Sequence, residues 1–310
     1  MRIVFMGTPD FAVASLDRIK NAGIEIAGVI TAPDKPAGRG KKIHFSAVKT
    51  YALENNLPNL MQPTNLKDES FTQELKSLQA DLFVVVAFRM LPESVWAMPP
   101  KGTINLHASL LPQYRGAAPI NWAVINGETK TGASTFFIEK EIDTGKIIDQ
   151  VKIDISEFDT AGTVHDKLMN CGADLLVKTI LSIEKGEAKA MNQNDITLTS
   201  ELKTAPKLFK DTCKIDWTKN SIEIHNLIRG LSPYPAAWTN ISVHGNPTTA
   251  KIFESDYEIS SSNEEPGTVI SDNNKVLKIA TGDGYILVKE IQIAGKKRMA
   301  TEDLLRGTKF

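Results

Sequence analysis

Short apolar runs alternate with amphipathic stretches through the first two thirds of the chain. Residues 2–6, Arg-Ile-Val-Phe-Met, read as a buried strand that ends at Gly7-Thr8-Pro9-Asp10. Phe11, Leu16 and Ile19 then recur at helical spacing up to Gly23, a residue suited to closing a helix. Residues 24–30 form a second apolar run. Strand, helix and strand in this order make a βαβ unit and predict a parallel sheet. The pattern continues with helices over 47–55 and 68–79 and a short strand over 60–63. The run Asp81-Leu-Phe-Val-Val-Val-Ala87 does not alternate, so it reads as a strand buried on both faces. Strands over 102–107, 131–139 and 146–155 follow, with a helix from Ile120 and a long amphipathic helix over 160–181 carrying Val164, Leu168, Leu175, Leu176 and Ile180.

Beyond this the pattern changes. Residues 184–210 are polar, with Asn192-Gln193-Asn194-Asp195 and then Ala205-Pro206, and read as a connection. A helix over 221–230 and a proline-rich turn over 231–238 precede short strands near 239–244, 249–254, 267–272, 275–281 and 284–293. Short strands at such spacing predict a small antiparallel barrel. The expected organisation is an α/β, doubly wound, Rossmann-like domain over 1–189, a linker over 190–205 and a β-barrel domain over 206–310.

Composition narrows the class without naming an activity. The chain has 310 residues, 42% apolar and 24% charged, ordinary values for a globular protein. No apolar run of about 18 residues suggests a membrane span. The N-terminus lacks the pattern of a secretory signal, and Cys171 and Cys213 match neither a zinc motif nor a disulfide framework. A cytoplasmic protein is expected. The net charge is −1, and residues 206–310 hold 14 Lys and Arg against 13 Asp and Glu. A nucleic-acid partner would have to be met by local basic patches. The first βα turn lacks the glycine fingerprint of dinucleotide sites, so a nicotinamide cofactor is not supported.

The chemistry concentrates at 105–123, Asn-Leu-His-Ala-Ser-Leu-Leu-Pro-Gln-Tyr-Arg-Gly-Ala-Ala-Pro-Ile-Asn-Trp-Ala. In a strand, residues i and i+2 share a face, so Asn105 and His107 project together where the strand gives way to loop. Asn supplies N–H donors and His a proton that can move near neutrality. On spacing alone, Asn-x-His is more often a turn or a satisfied histidine. Asp143, in Ile142-Asp143-Thr144-Gly145, reads by itself as an ordinary turn residue.

Taken together, Asn-Leu-His-Ala-Ser-Leu-Leu-Pro-x-Tyr-Arg-Gly-Ala-Ala-Pro and Asp143-Thr144-Gly145 resemble the signature of the folate-dependent formyltransferases, and the likeness extends over nearly the whole chain. The resemblance implies formyl transfer from 10-formyltetrahydrofolate, as formyl donor, to an amine. Asn105, His107 and Asp143 would be the catalytic residues, and no metal is implied. It also implies a folate site formed by Phe88, Arg89, Met90 and Leu91 at the carboxyl end of the central strand, with Ser109, Leu110, Leu111 and Pro112. Where this chain has Phe88-Arg89, related enzymes often have Tyr-Gly.

The acceptor is expected from a second likeness. The loop 32–45, Ala-Pro-Asp-Lys-Pro-Ala-Gly-Arg-Gly-Lys-Lys-Ile-His-Phe, could be a solvated connection by composition. It is similar to an insertion that contacts the tRNA acceptor arm in family members acting on tRNA. That likeness makes Arg39, Lys41 and Lys42 candidate tRNA contacts and methionyl-initiator tRNA the implied partner, with no membrane and no obligatory protein partner. An OB-like C-terminal domain is implied too, with Lys207, Lys210, Lys296, Lys297 and Arg298 as further candidate contacts. An amino-sugar nucleotide, glycinamide ribonucleotide or water as formyl acceptor are the alternatives, as is a non-catalytic RNA-binding module.

Overall fold

The computed structural model describes residues 1–37, 42–197, 201–261 and 264–310. The chain forms two compact units. One comprises Met1–Gly116, Gly132–Ile153 and His165–Lys203; the other comprises Ala117–Thr131, Asp154–Val164 and Thr204–Phe310.

The first unit is built on a seven-stranded sheet. Its order is Ile147–Asp154, Lys130–Phe137, Thr103–His107, Leu82–Val86, Arg2–Gly7, Glu25–Ile30 and Leu60–Met61. Neighbours from Thr103–His107 to Leu60–Met61 pair in parallel, as the βαβ pattern requires. The pattern changes at the other side. Lys130–Phe137 runs antiparallel to Thr103–His107, with Asn105 opposite Phe136 and His107 opposite Ser134.

The non-alternating strand Leu82–Val86 is buried along its whole length. It sits centrally because covered faces on both sides reward a continuous apolar run. Its core neighbours include Val4, Met6, Ile30, Phe71 and Leu75. Helix Asp10–Asn21 contributes Phe11, Leu16 and Ile19, at the spacing read from the sequence. The Ser46 hydroxyl caps Ala47–Glu54 by accepting from Lys49 N–H, and Asp68 caps Glu69–Ser77 by accepting from Ser70 and Phe71 N–H. Such caps satisfy amides that have no partner within the helix.

The second unit holds an antiparallel sheet in the order Ala237–Val243, Asn246–Ile259, Gly284–Ile293, Leu277–Ala280 and Val269–Ser271. Met299–Ala300 is added beside Gly284–Ile293. Its outer strands, Ala237–Val243 and Val269–Ser271, do not pair with each other among the described residues, so the sheet is a curled half-barrel. Helix Ser221–Leu231 fills the concavity with Ile224, Ile228 and Leu231 against Ile252, Ile286 and Val288. The strand expected near 249–254 runs on to Ile259. The register slips around Glu254, which lets one long strand bend with the sheet.

Two loops of the sequence reading carry structure of their own. Within 32–45, Lys35–Ala37 and Lys42–His44 pair antiparallel. Within 190–205, Met191 bridges to Ile147 and Gln193–Asp195 forms a 3-10 turn.

Candidate active site

The site grows from the carboxyl end of Thr103–His107. His107 is 6% exposed, and its ring stands edge-on to Phe136 at 6.5 Å. Its Nε2 lies 2.9 Å from the Tyr114 carbonyl oxygen. A carbonyl can only accept, so Nε2 carries a proton and donates it there. Nδ1 faces the Asp143 carboxylate, with Oδ2 at 3.8 Å. That separation exceeds a direct hydrogen bond. Two strand residues earlier, Asn105 is half-buried, and its amide has no hydrogen-bond partner among the described residues.

Asp143 is held from two sides. Its Oδ2 accepts the Gly116 N–H at 2.9 Å. Its backbone has φ +55°, in the left-handed region that Asp and Asn tolerate better than most residues. Gly145 follows within the same connection. A Cβ there would lie 1.7 Å from the Phe137 carbonyl oxygen, so only glycine lets the loop close onto the preceding strand.

The loop after His107 is fixed by one buried hydroxyl. Ser134 Oγ accepts from Leu111 N–H at 3.0 Å and from Gln150 Nε2 at 2.8 Å, and it donates to the Ser109 carbonyl at 2.6 Å. Gln150 Nε2 also donates to the Leu111 carbonyl at 2.9 Å. Ser109 itself is fully buried and directs its hydroxyl to the Gln113 carbonyl at 2.6 Å. Leu111 packs with Phe136 and Ile147, and the Leu111–Pro112 peptide is cis. Leu110 packs beside Gly132, where a Cβ would meet Leu110 Cδ2 at 2.5 Å.

The residues at the carboxyl end of Leu82–Val86 divide by role. Ala87 has φ +47° and turns the chain away from the sheet. Leu91 is buried, Phe88 packs partly against the same core, and Met90 is 75% exposed. Arg89 donates to the Thr64 carbonyl at 3.0 Å and to the Pro63 carbonyl. Its guanidinium thereby ties this loop to the segment after Leu60–Met61.

Arg39 and Lys41 lie outside the described residues; Lys42 contributes backbone to the paired segment, and its side chain is likewise undescribed. The base of that segment is anchored by Asp34. Asp34 accepts from Gln62 Nε2 at 2.8 Å and from Lys49 Nζ at 2.5 Å, contacts that hold its carboxyl below the usual carboxylate range. In the second unit, Lys207 Nζ lies over the Phe209 ring, and Lys210 and Lys214 lie over Trp238. Lys296 donates to Thr308 Oγ1, Arg298 pairs with Glu290 over Phe253, and Lys297 is exposed. Sequence reasoning missed Lys214, because pairing it with Trp238 needs the parallel bridge between those two residues.

Among the described residues, no group of three or more His, Cys, Asp and Glu is placed to hold a metal ion. No described helix is long and apolar enough to cross a membrane.

Asn105 and His107 come from one strand and Asp143 from a connection later in the chain. The formyl transferase family model matches residues 1–180, and the model of the family's C-terminal domain matches residues 207–309. The chain belongs to the formyl transferase family. This formyl transferase is similar to the methionyl-tRNA formyltransferase of Flavobacterium psychrophilum, with 56% identity over 311 residues that cover 100% of this chain and 97% of the relative. It is also 54% identical to that of Bacteroides thetaiotaomicron over 308 residues, 99% of this chain and 95% of the relative. Among solved structures it resembles WlaRD, a sugar 3N-formyl transferase, with a TM-score of 0.66 at 24% identity over 96% of this chain and 99% of that one. HypX from Aquifex aeolicus gives a TM-score of 0.65 at 17% identity, covering 98% of this chain and 47% of that one. These two likenesses are likenesses of fold.

Proposed function

We propose that this chain transfers the formyl group of 10-formyltetrahydrofolate to the α-amino group of methionyl-initiator tRNA, as a cytoplasmic enzyme of translation initiation. The observation that carries the reading is the approach of His107 to Asp143, with Asn105 two residues before His107 on the same strand, in a chain more than half identical, over almost its whole length, to methionyl-tRNA formyltransferases. WlaRD was solved with 5-N-formyl-THF and HypX with tetrahydrofolic acid, which favours a folate as the donor.

The chemistry follows from the groups present. The neutral amine attacks the formyl carbon, and negative charge develops on the formyl oxygen. The Asn105 amide, which has no partner among the described residues, is the donor suited to that oxygen; one such donor contributes about 2.7–4 kcal/mol in the transition state. His107 already donates from Nε2 to Tyr114, so Nδ1 is the nitrogen that can move a proton. The 3.8 Å between Nδ1 and Asp143 leaves both groups directed at a common region. Asp143 orients the imidazole and takes up, directly or through water, the proton lost by the amine. The intermediate collapses by expelling the folate nitrogen, which leaves with a proton. No covalent enzyme intermediate is required.

In this reading residues 1–189 carry formyl transfer and residues 206–310 bind tRNA. The folate lies against Phe88–Leu91 and Ser109–Pro112, the latter acting through backbone and apolar groups because the Ser109 hydroxyl is engaged. Replacing Arg39, Lys41 and Lys42 together with alanine weakens tRNA binding and leaves folate binding unchanged. The logarithmic salt slope falls by roughly 0.7–0.9 for each phosphate contact removed. Filter binding across a salt series measures it, and equal loss of folate and tRNA affinity counts against a tRNA-specific segment.

The deciding assay supplies formyl-labelled 10-formyltetrahydrofolate with methionyl-initiator tRNA, an amino-sugar nucleotide, glycinamide ribonucleotide or no acceptor. Label on methionyl-tRNA is the expected result. Label on another amine alone, or formate released without any amine, replaces the reading.

A further inference from the structure

Gln193 lies in the polar run Asn-Gln-Asn-Asp, far along the chain from every residue named in the mechanism, yet it is 4% exposed. Its Oε1 accepts from Arg115 Nε at 2.9 Å and from Arg115 Nη2 at 2.6 Å. Its Nε2 donates to the Asp143 carbonyl at 2.8 Å and to the Gly145 carbonyl at 2.8 Å. The amide orientation is fixed by its partners, since a guanidinium only donates and a carbonyl only accepts. Both amide protons and both oxygen lone pairs are used.

We propose that Gln193 is a positioning residue for formyl transfer, bracing the Asp143 turn against Arg115-Gly116 so that the carboxylate stays opposite His107. The inference rests on the reading of Asp143 as part of the reacting site. The hydrogen bond that aims Asp143 runs from Gly116 N–H to Oδ2. Gln193 grips both of its ends: Arg115, next to the donor, and the backbone of Asp143, which carries the acceptor. It also satisfies two loop carbonyls while Asp143 keeps a left-handed backbone. Remove the amide and those carbonyls lose their donor, leaving the turn free to relax toward water. A displacement of about 1 Å in a reacting group can cost roughly 10²-fold in rate.

A competing role for Gln193 is to be a neutral partner for Arg115. Glutamate separates the two. It keeps the size and strengthens the contact to Arg115, but it sets a carboxylate oxygen against two carbonyl oxygens. The experiment measures kcat, KM for both substrates, Tm and amide hydrogen exchange at Gly116 in Gln193→Glu, Gln193→Ala and Asp143→Asn. The expected result is a fall in kcat of roughly 10- to 100-fold in both Gln193 variants, KM values within about threefold of wild type, and faster Gly116 exchange.

Wild-type kcat and Gly116 protection in Gln193→Glu would overturn the inference. If Gln193→Ala does not fold, the near-isosteric glutamate variant carries the test. Undiminished turnover in Asp143→Asn would instead remove the role given to Asp143, while Gly116 exchange still reports whether Gln193 holds the turn.

Discussion

His107→Ala lowers kcat for formyl transfer by roughly 10²–10⁴-fold, the range for loss of a positioned acid–base group. The fold survives, because the ring is one element of a wall whose packing rests on Phe136, Leu111 and Ile147. KM for the folate stays near wild type, since the groups proposed to hold it lie on Phe88–Leu91 and Ser109–Pro112. Asn105→Ala loses roughly 10²–10³-fold by a different route, through one oxyanion donor. The double variant falls by less than the product of the two single losses, because both residues serve one transition state. Single-turnover label transfer to methionyl-tRNA separates these steps from product release. Near-wild-type turnover in folded His107→Ala would sink the proposed mechanism.

The second large effect comes from a glycine. Gly145→Ala places a methyl carbon 1.7 Å from the Phe137 carbonyl oxygen, a rigid backbone atom at the end of Lys130–Phe137. The connection must open to admit it. The expected cost is upwards of about 3 kcal/mol, beyond ordinary overpacking, because backbone cannot rotate away as a side chain can. Activity falls by more than roughly 10²-fold, because Asp143 lies two residues upstream in the moving segment. Gly307→Ala is the control: a Cβ there meets nothing within 4 Å, and its φ is not in the left-handed region. Its effect should stay within about 0.5 kcal/mol. Urea unfolding of the two variants beside wild type measures the contrast, and equal stability of both would refute the argument.

The parallel sheet was legible because its signal is local. Leu82–Val86 announces burial on both faces, and helix Asp10–Asn21 shows its apolar face at regular spacing. The alternation at Thr103–His107 also set Asn105 and His107 on one side. What the sequence hid are contacts made by single polar side chains over long separations. Ser134 sits in a strand where any small residue would keep the period, yet its hydroxyl organises the Ser109–Leu111 loop. Gln193 looked like connection because polar runs usually are, and a buried amide among them leaves no periodic trace. The pairing of Lys35–Ala37 with Lys42–His44 escaped notice because prolines and glycines dominate that segment. Asp143 is a candidate only through family likeness, since Asp-Thr-Gly is common in turns.

The left-handed backbone of Asp143 biases which residues suit that position. Most L-residues pay roughly 1–2 kcal/mol there, whereas Asp and Asn adopt it readily. The proposed chemistry requires a carboxylate, which admits Asp and excludes Asn. Glutamate has the charge but not the backbone tolerance, and its longer arm would overshoot Gly116. A saturation library at 143, sorted first for folded protein and then for formyl transfer, should therefore pass through two unlike sieves. The stability sieve ranks aspartate, asparagine and glycine first, and the activity sieve keeps aspartate alone.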